Sequence, residues 1–162
     1  MGTQLLVIGL AGSGKSTVGK AVAERLGIRF VDGDSLHPAA NLAKMAKGTP
    51  LSDDDRDPWV ANIISELNKG DVVIAASLLK RSYRELINKS VKQLVFAQLD
   101  APKAILEQRL AQQDDSIRKD LITAQLATAD PLAKHEPGKI YKSNVPVEDL
   151  VKRIILDIRM GD

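Results

Sequence analysis

The chain has 162 residues, of which 44% are hydrophobic, 27% charged and only 3% aromatic; its net charge is +2 and it has no cysteine. Those values fit a single globular domain with an aliphatic core, residues 1–162, and exclude a disulfide framework, a thiolate metal site and the strongly basic surface of a nucleic-acid binder. No apolar run reaches membrane-spanning length and no basic leader precedes the first apolar segment, so a cytoplasmic protein without a membrane partner is expected.

The elements alternate along the chain. Leu5–Ile8 is a short apolar run of the kind expected for a buried parallel strand. It leads into Gly9–Thr17, GLAGSGKST, which fits the phosphate-loop pattern G-x-x-x-x-G-K-[ST]. Each residue type there has a physical task. Glycines let the backbone close around phosphate oxygens, and the amides with the following helix N-terminus make an anion site. Lys15 reaches the β- and γ-phosphates, and the Ser16 hydroxyl suits Mg²⁺. The alternative is a glycine-rich turn that caps a helix. Thr17 stands where a dinucleotide fingerprint would need a third glycine or alanine, so that motif is excluded. Val18, Ala21, Val22 and Leu26 then mark one face of a helix over Lys15–Leu26, stopped by Gly27.

A second strand, Arg29–Asp32, runs into Asp32-Gly33-Asp34. Two acids at a strand end suit Mg²⁺ ordering and hydroxyl deprotonation, against the plainer reading of an acidic turn. Asp53–Asp55 read as an acidic cap for a helix over Asp57–Asn68. Arg56 reads as a surface charge, and Trp59, the only tryptophan, as core or pocket wall. The third strand, Val72–Ala76, ends at Ser77, where many larger phosphate-loop proteins place a metal-binding acid; Asp32 is left as the acidic metal helper. Lys80, Arg81 and Arg84 then open a helix over Ser82–Lys89. Cations at a helix N-terminus oppose the macrodipole, and a basic cluster after a strand end could hold an anionic substrate. A fourth strand follows over Gln93–Leu99, with Asp100 as N-cap of a helix over Pro102–Gln112. Helices over Lys119–Thr128 and Val147–Arg159 flank a fifth strand near Lys139–Lys142. Leu150, Val151, Ile154, Ile155 and Ile158 lie on one stripe of the last helix, which is expected to pack on the sheet. The alternation predicts an α/β fold of three layers around a five-stranded parallel sheet, with ligands beyond the C-terminal strand ends.

With these sites in view, the sequence resembles the small ATP-dependent gluconokinases, which are similar in build to shikimate kinases. The resemblance spans nearly the whole chain and rests on GLAGSGKST, on FVDGDSLHPAANLAKMAKGTPLSDDDRDPW from Phe30 to Trp59, on ASLLKRSYRELI from Ala76 to Ile87, and on LITAQLATADPLAKHEPG from Leu121 to Gly138. It implies a P-loop kinase of the nucleoside-monophosphate-kinase type, with a substrate-binding segment over about 34–60 and a lid over about 111–124. ATP and Mg²⁺ are the implied cofactors, and a sugar acid, D-gluconate, the implied partner. Gly9, Ala11, Gly12, Ser13, Gly14, Lys15, Ser16 and Thr17 would hold the triphosphate, with Arg109 and Pro137 on either side of the adenine. Ser16 and Asp32 would hold the metal, with Lys15 and Asp34 catalytic, Asp34 activating the hydroxyl. His37, Arg56, Lys80, Arg81 and Arg84 would hold the sugar acid. Members of that family are often dimers, so a homodimer is implied as well.

One stretch departs from the family pattern. After Arg109-Leu110 the family has a second arginine and then a Gly-His-Phe-Met-Pro-like stretch, whereas this chain reads Ala111-Gln112-Gln113-Asp114-Asp115-Ser116-Ile117-Arg118-Lys119. Gln113 stands in the place of the lid arginine, whose charge stabilises the transferring phosphoryl group; Arg118 or Lys119 could substitute from the next turn. A kinase for another polyhydroxy acid or shikimate, and a nucleotide-binding pseudokinase, are the rival expectations.

Overall fold

The computed structural model describes residues 2–112 and 116–161, the side chains of 116–121 excepted. Five parallel strands form one sheet: β1 (Gln4–Gly9), β2 (Arg29–Asp32), β3 (Val72–Ala76), β4 (Leu94–Asp100) and β5 (Gly138–Lys142), in the spatial order β2-β3-β1-β4-β5. Seven α-helices are present among the described residues: α1 (Lys15–Leu26), α2 (Ala39–Ala46), α3 (Asp53–Leu67), α4 (Arg81–Ser90), α5 (Lys103–Gln112), α6 (Ser116–Thr128) and α7 (Val147–Met160).

The two-residue period of the central strands builds the three layers. Leu6 and Ile8 of β1 and Val72, Ile74 and Ala76 of β3 face α3 and α4, where they meet Trp59, Val60, Ile63, Leu67 and Ile87. Leu5, Val7 and Val73 face the other way, onto α1 and α7, where they meet Val18, Val22, Leu150, Val151, Ile154 and Ile155. Ile158 packs against the same layer, as the stripe on the last helix predicts. β1 runs between β3 and β4, with Leu6 opposite Ile74 and Phe96, so Leu5, Leu6 and Val7 have no exposed surface. A β1 of this kind needs no alternation in sequence, because both of its faces are covered.

The register sets where chemistry can occur. Gly9 pairs with Leu99 of β4, and Asp32 with Ala75 of β3, so the phosphate loop and the Asp32–Asp34 turn leave the same edge of the sheet. β2 and β1 are separated only by β3, two strand spacings or about 10 Å.

Several helix limits differ from the sequence expectation: α6 begins at Ser116, three residues before Lys119, and two other helix starts have a clear physical cause. α3 begins four residues before Asp57, because Ser52 and Asp55 close a reciprocal capping box and Asp53, Asp54 and Asp55 complement the helix N-terminus. Pro58 is then the sixth residue of the helix, past the first turn, where it forgoes the N–H that would have bonded the Asp54 carbonyl. Asp100, expected as an N-cap, instead closes β4 opposite Lys142, and the helix starts at Lys103 with Pro102 O accepting from Ile105 and Leu106.

Candidate active site

The phosphate loop joins β1 to α1. Gly9 has φ +155, and a Cβ there would lie 2.6 Å from Ser13 Oγ and 2.8 Å from Leu99 O, so a side chain is excluded both by conformation and by space. Gly12 has φ +83 and passes close to α5, where a Cβ would come within 3.0 Å of Leu106 O. Ser13 N–H donates to Leu10 O at 3.1 Å, which closes the turn. α1 starts after Gly14 with no side-chain cap, so no side-chain cap satisfies the orphan amides of its first turn. Ser13 Oγ is buried and has no hydrogen-bond partner among the described residues. Lys15 Nζ donates to Leu10 O at 3.1 Å, which lays the ammonium across the loop. Uncapped amides, a buried orphan hydroxyl and an ammonium converging on one concavity are the donor set that a polyphosphate needs.

That concavity is a cavity of about 410 Å³ lined by Gly12–Val18, Arg109, Gln112, Ser143, Val145, Val147 and Leu150. Arg109 of α5 stands at its mouth and bridges two backbone carbonyls, donating to Gly12 O at 3.1 Å and Ser143 O at 2.7 Å. Arg109, expected near the base, lies beside the phosphate loop. Pro137 does not. Its carbonyl accepts from Phe96 N–H at 2.8 Å, and Gly138 pairs with Phe96, near the start of β4. Because β5 runs parallel to β4, Pro137 is at the N-terminal edge of the sheet, about 13 Å from the edge that carries the phosphate loop. The wall that continues from Arg109 is the segment after β5, with Ser143, Val145 and Val147 lining the cavity, which the sequence reading missed. Ala11 is the second correction: it is not part of the cavity wall, and its N–H donates to Gln125 Oε1 at 2.9 Å.

The acid turn is braced by α3. Asp32 Oδ1 accepts from Asp34 N–H at 3.0 Å, and Ser35 Oγ donates to Asp32 O at 2.6 Å, folding Gly33–Leu36 into a 3₁₀ turn. Trp59 Nε1 donates to Gly33 O at 2.8 Å, and Asn62 Nδ2 to Leu36 O at 2.7 Å. Asp34 is thereby carried, exposed, on a turn tied down on both sides. Trp59 is 2% exposed, belongs to the core and stacks on His37 with centroids 4.4 Å apart.

His37 is 8% exposed. Burial, reinforced by the Arg56 charge, lowers its pKa to about 4, so it is neutral at pH 7. Its Nδ1 faces Asn41 Nδ2 at 3.1 Å, which assigns that nitrogen as acceptor. Asn41 also donates to Asp55 O at 2.7 Å, and Lys44 Nζ to Asp55 Oδ2 at 2.7 Å. The Lys44 ammonium, with the Ser52 backbone and hydroxyl, holds the Asp55 pKa down to about 2. α2, for which no helix was predicted, is held in place by these contacts. His37 can therefore contact an acceptor only as a neutral group.

The basic cluster separates into two parts. Lys80 Nζ donates to Asp53 Oδ1 at 2.8 Å, and the Tyr83 hydroxyl donates to the same oxygen. Burial and then the Asp53 carboxylate raise the Tyr83 pKa to about 12, while the Lys80 and Tyr83 contacts hold Asp53 below the usual carboxylate range. Arg56 is half-buried beside this group, donating to Leu51 O at 3.1 Å. Arg81 is turned toward the chain after α6: its N–H donates to Asp130 Oδ2 at 2.9 Å, its Nη2 to Pro131 O at 3.1 Å, and its Nε lies 3.6 Å from Glu136. Arg84 is 1% exposed, and all five of its N–H donors are engaged, with Glu136, Leu78 O, Leu79 O and Pro131 O. It has nothing left for a substrate, which corrects its expected role. The clash between three cations and a helix N-terminus is resolved by acids brought from Asp53, Asp130 and Glu136.

Metal chemistry has a limited donor set. No cluster of three or more His, Cys, Asp or Glu occurs among the described residues. Ser16 at the start of α1 and Asp32 across β3 are hard oxygen donors of the kind that hold Mg²⁺ together with phosphate oxygens and water. Gln113, Arg118 and Lys119 lie outside the residues whose side chains are described.

Comparison with known proteins agrees with this architecture. The AAA domain family profile matches residues 5–133. The thermoresistant gluconokinase of Escherichia coli K12 is 34% identical over 164 residues, covering 96% of this chain and 93% of that protein. A probable gluconokinase of Schizosaccharomyces pombe is 42% identical over 134 residues, 75% of this chain and 69% of that one. The crystal structure of a gluconokinase from Sinorhizobium meliloti 1021 superposes with a TM-score of 0.88 at 35% identity, covering 97% of this chain and 91% of that one. A phosphate loop on β1, an acid turn on β2 and these relatives along almost its whole length lead to one conclusion: the chain belongs to the gluconokinase family.

Proposed function

We propose that the protein transfers the γ-phosphoryl group of ATP to a hydroxyl of a sugar acid, D-gluconate, forming 6-phospho-D-gluconate. The observation that carries this reading is the common sheet edge shared by the phosphate-loop cavity and the braced Asp34 turn. Chain identity to named gluconokinases supports the choice of acceptor.

In this reading the amides from Gly12 to Thr17 and Lys15 bind the triphosphate, and Arg109 with the Ser143–Val147 segment borders the base. Ser16 and Asp32 would hold Mg²⁺, which neutralises phosphate charge when bound. Asp34 accepts the proton of the attacking hydroxyl, so the O–H bond breaks as the new O–P bond forms and ADP leaves. Arg56 and Lys80 face the acceptor carboxylate, with neutral His37 as wall. Catalysis is mainly positioning and charge stabilisation. A single domain with the acceptor bound over residues 34–60 follows from the same assignment.

Asp34→Asn tests it. The variant is expected to bind Mg-ATP with a Kd within about threefold of the parent and to lose at least 100-fold in kcat, the lower range for removing a general base. Lys15→Ala, as companion, should abolish transfer. An Asp34→Asn variant that turns over normally, or that loses ATP binding in calorimetry, would contradict the role given to Asp34.

A further inference from the structure

The phosphate loop is also held from behind, outside the cavity. Ala11 is buried in an apolar cluster with Leu106 and Leu110 of α5 and Ile122 of α6. Gln125 lies one helical turn beyond Ile122, on the same face of α6, and its Oε1 takes the Ala11 N–H at 2.9 Å. These two residues are 114 positions apart. The bond matters because of the peptide unit it belongs to. Ala11 N–H and Leu10 C=O are the two ends of one planar trans peptide and point in opposite directions. Leu10 O accepts the Ser13 N–H at 3.1 Å, which closes the loop, and Lys15 Nζ at 3.1 Å. The side chain that fixes the N–H therefore fixes the carbonyl that orders Ser13 and Lys15. Rotation of that peptide would release both and would turn the Ala11 amide away from Gln125.

We propose that Gln125 is a positioning residue of the nucleotide site. By holding the Leu10–Ala11 peptide plane from α6, it sets the loop in the form whose amides from Gly12 onward line the cavity. This rests on the reading of the loop as a nucleotide-phosphate site. It adds a residue that no phosphate-loop pattern contains.

Gln125→Met keeps the length of the side chain and removes the acceptor. It is expected to raise the Kd for Mg-ADP about tenfold in calorimetry and the KM for ATP in parallel. The KM for gluconate should stay within about twofold, and Tm within about 4 °C, the effect of one hydrogen bond in a chain this size. A purely structural role would instead lower Tm further and move both KM values together; that result, or an unchanged nucleotide Kd, overturns the proposal. The parent protein gives a second test that needs no variant. In ¹⁵N-labelled protein the Ala11 amide should exchange slowly with solvent, both free and with Mg-ADP. Fast exchange in the free protein, or a large shift of that resonance on ADP binding, would show that Gln125 does not hold it. Failure of the parent to bind Mg-ADP would remove the nucleotide reading itself, an outcome distinct from both.

Discussion

Glu136→Gln is the substitution with the most calculable outcome. Glu136 and Arg84 are 4% and 1% exposed and meet at 2.8 Å through Oε1 and 3.0 Å through Oε2. Glu136 Oε2 also accepts the Ala133 N–H at 2.8 Å. Burial opposes ionisation of Glu136, but the Arg84 guanidinium and the Ala133 amide outweigh it and leave the carboxyl below its usual range. A glutamine can replace one oxygen; with its carbonyl in the Oε2 place, its NH₂ faces the Arg84 Nε–H, donor against donor. Removing one partner of a buried pair costs about 3–5 kcal/mol, because the remaining charge is left uncompensated. At about 3 °C per kcal/mol for a chain of this size, Tm falls by about 9–15 °C. Arg84→Met in the same chain removes the stranded charge, so the double variant should melt well above Glu136→Gln. Thermal unfolding and acceptor kinetics at a temperature where all variants are folded decide the matter. A Glu136→Gln variant that melts within about 3 °C of the parent would refute the reasoning. So would an Arg84→Met variant with normal Tm and a tenfold higher acceptor KM, since that would return Arg84 to the substrate.

Two further predictions follow from the site. The unfolded chain takes up a proton on His37 near pH 6.5, whereas the folded one resists until about pH 4. The stability His37 contributes is therefore complete above pH 6.5 and is lost as pH falls through that window, by up to about 3 kcal/mol. Urea unfolding from pH 7 to 4 should show this loss in the parent and not in His37→Phe, which keeps the stack on Trp59; parallel curves for the two would contradict it. Arg109→Ala should raise the KM for ATP about tenfold, whereas Pro137→Ala, at the far edge of the sheet, should leave it within twofold. Equal effects would undo the placement of the base beside Arg109 and the Ser143–Val147 segment.

The parts of the site that are local in sequence were legible from it. Gly9–Thr17 carries its chemistry in fixed spacing, and the strands at Arg29–Asp32 and Val72–Ala76 have the expected limits; Val72–Ala76, buried throughout, shows as an unbroken apolar run between turn residues. What the sequence concealed depends on partners brought together by the fold. Arg84 reads as an exposed cation until Glu136 arrives from 52 residues away, and Gln125 reads as helix surface until the loop packs beneath it. α2 buries only Asn41 and is held by α3, so its own apolar pattern carries little signal. Pro137 was misplaced for a simpler reason. In a parallel sheet the segment before a strand lies at the opposite edge from the ligand, so strand polarity selects Ser143–Val147 after β5.

The central claim is phosphoryl transfer from ATP to gluconate, and one assay addresses it. Purified protein is incubated with Mg-ATP and, one at a time, gluconate, other aldonates and shikimate; ADP release is followed, and the product is examined by ³¹P NMR. The account predicts ADP release that depends on gluconate, with a phosphomonoester signal at the terminal carbon of the sugar acid. Nucleotide binding with no acceptor-dependent release, or a preference for shikimate, would contradict it.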